Sequence, residues 1–156
     1  MSRIVKLLRR LIDHERWFIF ATLTASAAWL VAAGISLPLV LIAQPESLPD
    51  REPWIRIFSG LLLAPMIENL IMIAMIGVAR QFVDAKFSVA MMVALMALIH
   101  AIAASWMAIA ASVGFLIYGA SYVLWYPSGG RRAYWITVLQ HAIFNLPATL
   151  AGTFLR

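Results

Sequence analysis

The sequence predicts an all-α fold: a polytopic transmembrane helical bundle of about five spans, with a short amphipathic helix at its N-terminus. Three observations predict it. Hydrophobic residues make up 63% of the 156 positions, and the mean hydropathy is +0.90. Charged residues make up only 12%, against about 25% in soluble domains. The apolar residues also run in blocks long enough for a helix rising about 1.5 Å per residue to cross about 30 Å of hydrocarbon. A water-soluble fold of this length could not cover so much apolar surface. Residues 1–156 therefore read as a single membrane domain.

Residues 2–16 read as an amphipathic helix on the membrane surface, with Ile4, Leu7, Leu8 and Leu11 on one side. His14 lies in this exposed segment and is expected to be functionally silent. Trp17 to Ala43 forms the first span, and its apolar length far exceeds the roughly 7–15 residues of a signal-peptide core. Gln44–Pro53 is a polar loop containing Pro45, Pro49 and Pro53. Trp54–Ala79 is the second span, and Arg80–Lys86 a short polar connection. Phe87 to Tyr126 carries no formal charge and is about twice the length that one span needs. It must break once, and the break is placed near Ala103–Met107. Pro127–Arg132 is a loop, and Ala133–Phe154 is the last span. The count is five, with four and six as the alternatives.

Charge orients the bundle. The net charge is +5 and the pI about 10.2. Five of the twelve basic residues lie before the first span: Arg3, Lys6, Arg9, Arg10 and Arg16. That clustering fits a flank beside anionic lipid headgroups and argues against a nucleic-acid partner. With the N-terminus in the cytoplasm, Arg80, Lys86, Arg131 and Arg132 join these five inside. Arg51, Arg56 and Arg156 remain outside. Trp17, Trp54, Trp106, Trp125, Tyr126, Tyr134 and Trp135 fall near span ends, where amphipathic rings suit the interface. Trp29 is the mid-span exception. Ala104, Ala108 and Ser112 would let helices approach closely. The absence of cysteine excludes disulfides, thiolate catalysis and cysteine-type zinc sites.

Strongly polar residues inside the spans are Glu68, Asn69, His100, His141 and Asn145. An ionised group at mid-bilayer costs on the order of 2.5–3.5 kcal/mol on insertion scales, and such residues by default mark function. Counted from the cytoplasmic ends of their spans, Glu68 and His100 lie about 18 and 21 Å deep, and His141 and Asn145 about 14 and 20 Å. All four thus share one layer. His141 and Asn145, at i and i+4, share a helix face. Pro65 removes a backbone donor and leaves the Leu61 carbonyl without its helical partner; Pro147 does the same to Ile143. Freed carbonyls at this depth suit a wet cavity, although an ordinary kink is the commoner meaning of one such proline.

A lone intramembrane histidine is more often an interhelical hydrogen-bonder than a catalyst. A Glu/His/His set could also form a proton path or an ion site. As a co-planar set, however, these residues favour catalysis. A Glu beside a His can hold and deprotonate a water, while a second His and an Asn amide can donate to a developing oxyanion. There is no Gly-x-Ser-x-Gly and no His-Glu-x-x-His. A Glu/His/His metal site with an open position remains an option in ligand type.

Three motifs carry a resemblance. Pro65-Met-Ile-Glu68-Asn69, then Ala94-Leu-Met-Ala-Leu-Ile-His100, then His141-Ala-Ile-Phe-Asn145 follow the order and spacing of the CAAX-protease and bacteriocin-processing/self-immunity family (CPBP or Abi) of intramembrane proteases. Gly119-x-x-Tyr122 is similar to that family's small-residue helix. The resemblance covers about residues 60–150. It implies an intramembrane endopeptidase in which Glu68 and His100 activate water and His141 and Asn145 stabilise the oxyanion. It also implies a membrane-associated peptide or protein substrate; so short a chain suits a bacterial inner membrane. Two positions depart from the family pattern: Asn69 stands where the family has a second Glu, and Ile73 where it has Arg. These departures make a catalytically inactive binding or immunity protein the alternative. No cofactor is expected. Zinc is the metal to consider, but Asn145 is a poor ligand beside His141.

Overall fold

The computed structural model describes residues 16–43, 52–103 and 107–154. The N-terminal amphipathic segment (2–15), most of the first loop (44–51), Ala104 and Trp106 lie outside the described residues. Among those described there is no strand, and the protein is an all-α bundle. Its helices are α1 (Trp17–Ala43), α2 (Pro53–Phe58), α3 (Ala64–Ala79), α4 (Ala85–Ala103), α5 (Met107–Trp125) and α6 (Gly130–Phe154). A π-helical turn, Ser59–Leu63, joins α2 to α3, and a 3₁₀ turn, Tyr126–Ser128, precedes α6.

Local sequence explains the boundaries. Pro53 opens α2, where its missing N–H is not needed, so the loop expected to run through Pro53 ends just before it. Asp84 caps α4, its Oδ1 accepting from the backbone N–H groups of Lys86 (2.9 Å) and Phe87 (3.0 Å). Gly129, at φ 114°, takes the left-handed turn that starts α6. The expected break in the long uncharged stretch falls between α4 and α5.

Among the described residues, four segments are long and apolar enough to cross a membrane by length and composition: Trp17–Pro38, Pro53–Ala79, Ala85–Ile102 and Met107–Ser128. The chain is an integral membrane protein. Helix α6 is as long but less apolar, because its polar residues turn inward: Thr137, Gln140, His141 and Thr149 are all buried. Its inward face carries polar groups that lipid would not satisfy, while Trp135, Leu146, Leu150 and Phe154 face outward.

The core is aromatic and methionine-rich, with Phe20, Met72, Ile76, Met92, Met96, Phe115, Tyr118, Trp125 and Ile136 buried. The outside is apolar too: Leu30, Phe82, Phe87, Leu98 and Ile102 are exposed, as lipid-facing residues are. The most extensive pairing is between α4 and α5. A methyl group at Gly119 would sit 2.6 Å from Met92 Cε and 3.1 Å from Val89 Cγ1, so the small residue sets this close approach. Trp17, Trp54, Tyr126 and Trp135 are exposed, consistent with interfacial positions. Trp125 departs from that expectation. It is fully buried, edge-on to Phe20 at 5.6 Å, with the Arg132 guanidinium 5.2 Å over its ring. It is a core residue.

Candidate functional site

Glu68 lies in the first turns of α3, directly after the π-helical turn. Asn145 Nδ2 reaches across from α6 to donate to the Gly60 carbonyl at 3.0 Å. The backbone group that Asn145 satisfies is therefore that of Gly60, one residue before the Leu61 carbonyl singled out from Pro65. α6 also packs closely on Gly60, where a Cβ would lie 2.7 Å from Thr149 Oγ1.

The expected acid and imidazoles do meet. Glu68 Oε2 lies 3.6 Å from His100 Nε2 and 3.7 Å from His141 Nε2. The Glu68 side chain is 27% exposed overall, yet Oε2 itself is buried and makes no hydrogen bond. Both separations exceed the 2.7–3.2 Å of a direct N–H···O bond and are within reach of one shared water. His100 Nδ1 lies 2.8 Å from the Met96 carbonyl. A carbonyl can only accept, so this nitrogen carries a proton, and the Nε2 of a neutral His100 faces Glu68 as a lone pair.

Aromatic rings from α5 hold both imidazoles. Phe115 stands 5.6 Å from the His100 ring and 5.5 Å from the His141 ring. Tyr118 stacks on His141 at 4.7 Å with an interplanar angle of 24°. Glu68, His100, His141 and Asn145 all line one cavity of about 330 Å³. Its remaining wall is largely apolar: Trp29, Ala32, Ala111, Gly114 and Phe115 contribute. Trp29, the mid-span exception, thus faces the cavity.

Asn145 lines the cavity, but its Nδ2 donates to the backbone carbonyl of Gly60. An amide nitrogen has two protons, so one donor remains for a second partner. Asn69 is fully buried, and its Nδ2 lies 2.7 Å from the Pro65 carbonyl and 3.2 Å from His141 Nδ1. Ile73 is partly buried against the core.

Three residues went unnoticed in the sequence. Gln140 is fully buried and donates to Thr24 Oγ1 (2.6 Å) and Ser121 Oγ (2.9 Å), tying α6 to α1 and α5. Its signal was available: an amide inside a span, one position before His141. Phe115 and Tyr118 had no such signal, because their type is ordinary in a membrane core. Glu68, His100 and His141 are ligand types that zinc accepts, yet no group of three His, Cys, Asp or Glu among the described residues is placed to hold a metal ion.

Fold and site together define a helical membrane protein with an acid–imidazole cluster in an intramembrane cavity. No family model, curated protein or solved structure matches the chain.

Proposed function

We propose that the protein is an intramembrane endopeptidase of the CAAX-protease/self-immunity type, hydrolysing a membrane-associated peptide or protein with water activated by Glu68 and His100. One observation carries this reading: a buried carboxylate oxygen stands 3.6 and 3.7 Å from two imidazole nitrogens inside a cavity. With Glu68 ionised and His100 neutral, Oε2 and Nε2 are both acceptors and can each take a hydrogen bond from one water. The polarised oxygen attacks the scissile carbonyl carbon, and Glu68 or His100 takes its proton. His141 and the second Asn145 proton supply hydrogen bonds to the resulting oxyanion. The stored proton passes to the amine as the C–N bond breaks, giving a carboxylic acid and an amine. The apolar wall suits a substrate delivered from lipid. No bound metal enters this scheme.

The setting in this proposal is a bacterial inner membrane with the N-terminus in the cytoplasm. The excess of Arg and Lys in the connections of that side supports it. The test is Glu68→Gln in liposomes containing a membrane-anchored fluorogenic peptide library. Cleavage by the unaltered protein should vanish in the variant; turnover that survives Glu68→Gln overturns the assignment.

One observation favours a second reading, a non-catalytic binding or immunity protein. The Asn145 amide nitrogen is engaged with the Gly60 carbonyl and is thus partly withdrawn from an oxyanion role. On that reading, Glu68→Gln and His100→Ala leave the cellular phenotype intact.

A further inference from the structure

The geometry points to Asn69 as the residue that fixes the tautomer of His141, making its Nε2 a permanent hydrogen-bond donor into the cavity. Asn69 Nδ2 lies 2.7 Å from the Pro65 carbonyl oxygen. That contact settles which way the amide points: turned over, the amide of the fully buried Asn69 would set one oxygen against another. With Nδ2 so placed, its second proton faces His141 Nδ1 at 3.2 Å. Nδ1 must then accept. A neutral imidazole that accepts at Nδ1 carries its proton on Nε2, and Nε2 is the atom 3.7 Å from Glu68 Oε2.

Three consequences follow. His141 cannot act as a base through Nε2. Full protonation would set an N–H at Nδ1 against the Asn69 N–H, so the ring is held neutral. A metal at Nε2 would have to displace that proton and set an N–H at Nδ1 against the Asn69 N–H, which disfavours His141 in any set with Glu68 and His100. The two histidines thereby divide their work. The Met96 carbonyl makes His100 present a lone pair, and the Asn69 amide makes His141 present a proton.

The position that departs from the family pattern is therefore a positioning residue in this chain. A carboxylate at 69 would accept from Nδ1 instead, move the proton there, and turn Nε2 into a third acceptor around the same point. Placing the His141 proton rests on hydrogen-bond geometry alone. Its use on an oxyanion rests on the hydrolase reading.

The experiment is ¹⁵N NMR of the full chain, labelled at histidine, in lipid bilayers. The chain has only three histidines, so His14→Gln and His100→Gln assign the signals. His141 should show a protonated Nε2 and an unprotonated Nδ1 at neutral pH. Asn69→Asp should move the proton from Nε2 to Nδ1, and Asn69→Gln should restore the original pattern. A protonated Nδ1 in the unaltered protein overturns the inference, as does an Asn69→Asp spectrum identical to it. Should Asn69→Asp fail to fold, the unaltered protein's spectrum decides alone. Turnover on the anchored peptides should fall about 100-fold in kcat in Asn69→Asp, the size of losing one oxyanion donor, with KM little changed. The expected tautomer in a protein that cleaves nothing would sink the hydrolase and leave this inference standing.

Discussion

Gln140 and His141 are adjacent on α6 and both buried, yet they serve polar clusters of opposite kinds. Gln140 joins Thr24 and Ser121 in an uncharged knot: short hydrogen bonds from its Nε2 link three helices, the Thr24 hydroxyl donates to the Phe20 carbonyl at 2.7 Å, and only the neutral Oε1 is buried without a partner. His141 faces the other way, into a cavity, opposite a carboxylate oxygen that no hydrogen bond satisfies. A bundle in lipid uses the first arrangement to hold helices together. The second costs stability and persists where something must bind or react. Two neighbours about 100° apart around one helix thus separate structure from chemistry.

The largest effect that could break this comparison lies at Glu68. If the cavity cluster is the working one, Glu68→Gln should lower turnover by about 10²–10⁴-fold, the usual range for a general base. Thermal stability in detergent should hold or rise, since an under-satisfied acid is replaced by a neutral amide. A variant that unfolds, with activity per folded molecule unchanged, would place Glu68 with the structural knot instead. His141→Ala comes next, with an expected loss of about 10²–10³-fold.

Gln140→Leu should show the reverse. It removes two interhelical hydrogen bonds, each averaging about 0.6 kcal/mol and reaching about 1.7 in membrane proteins. We expect a destabilisation of about 1–3 kcal/mol, measured by reversible unfolding in mixed micelles, with kcat within about threefold. A kcat loss matching that of His141→Ala would erase the distinction between the clusters.

Much of this was legible before any coordinates, for physical reasons. Lipid penalises charge so strongly that one carboxylate and two imidazoles in apolar runs announce themselves, and a fixed rise per residue places them in one layer. Glu68, His100 and His141 met as depth alone suggested. Rotation about each helix axis was not legible. Helices apolar on every side carry no face to read, so the sequence could not tell that Trp125 turns inward or that Tyr118 stacks on His141. Asn69 looked like a gap in a motif, because its meaning is a contact with a residue 72 positions away. Asn145 shared the right face, but the π-helical turn before Pro65 supplied a carbonyl that takes up its amide nitrogen.

The smallest predicted effect separates two helical glycines. Gly77, on α3, has open space where a Cβ would go. Gly77→Ala should therefore stabilise by up to about 0.5–1 kcal/mol through helix propensity and leave turnover unchanged. At Gly114, on α5, the same methyl would lie 3.0 Å from the Tyr118 hydroxyl and 3.2 Å from its Cζ. Tyr118 can yield only by sliding its ring, and that ring lies flat on His141. The propensity gain is then offset by strain, and the displaced ring tilts the imidazole whose Nε2 faces Glu68. A shift of a few tenths of an ångström is well under the 1 Å misplacement that costs about 10²-fold, so Gly114→Ala should lower kcat by about tenfold or less. Equal behaviour of the two substitutions would mean that the stacked tyrosine does not steady His141. A loss confined to Gly114→Ala extends the working cluster from the acid and imidazoles to the aromatic ring behind them.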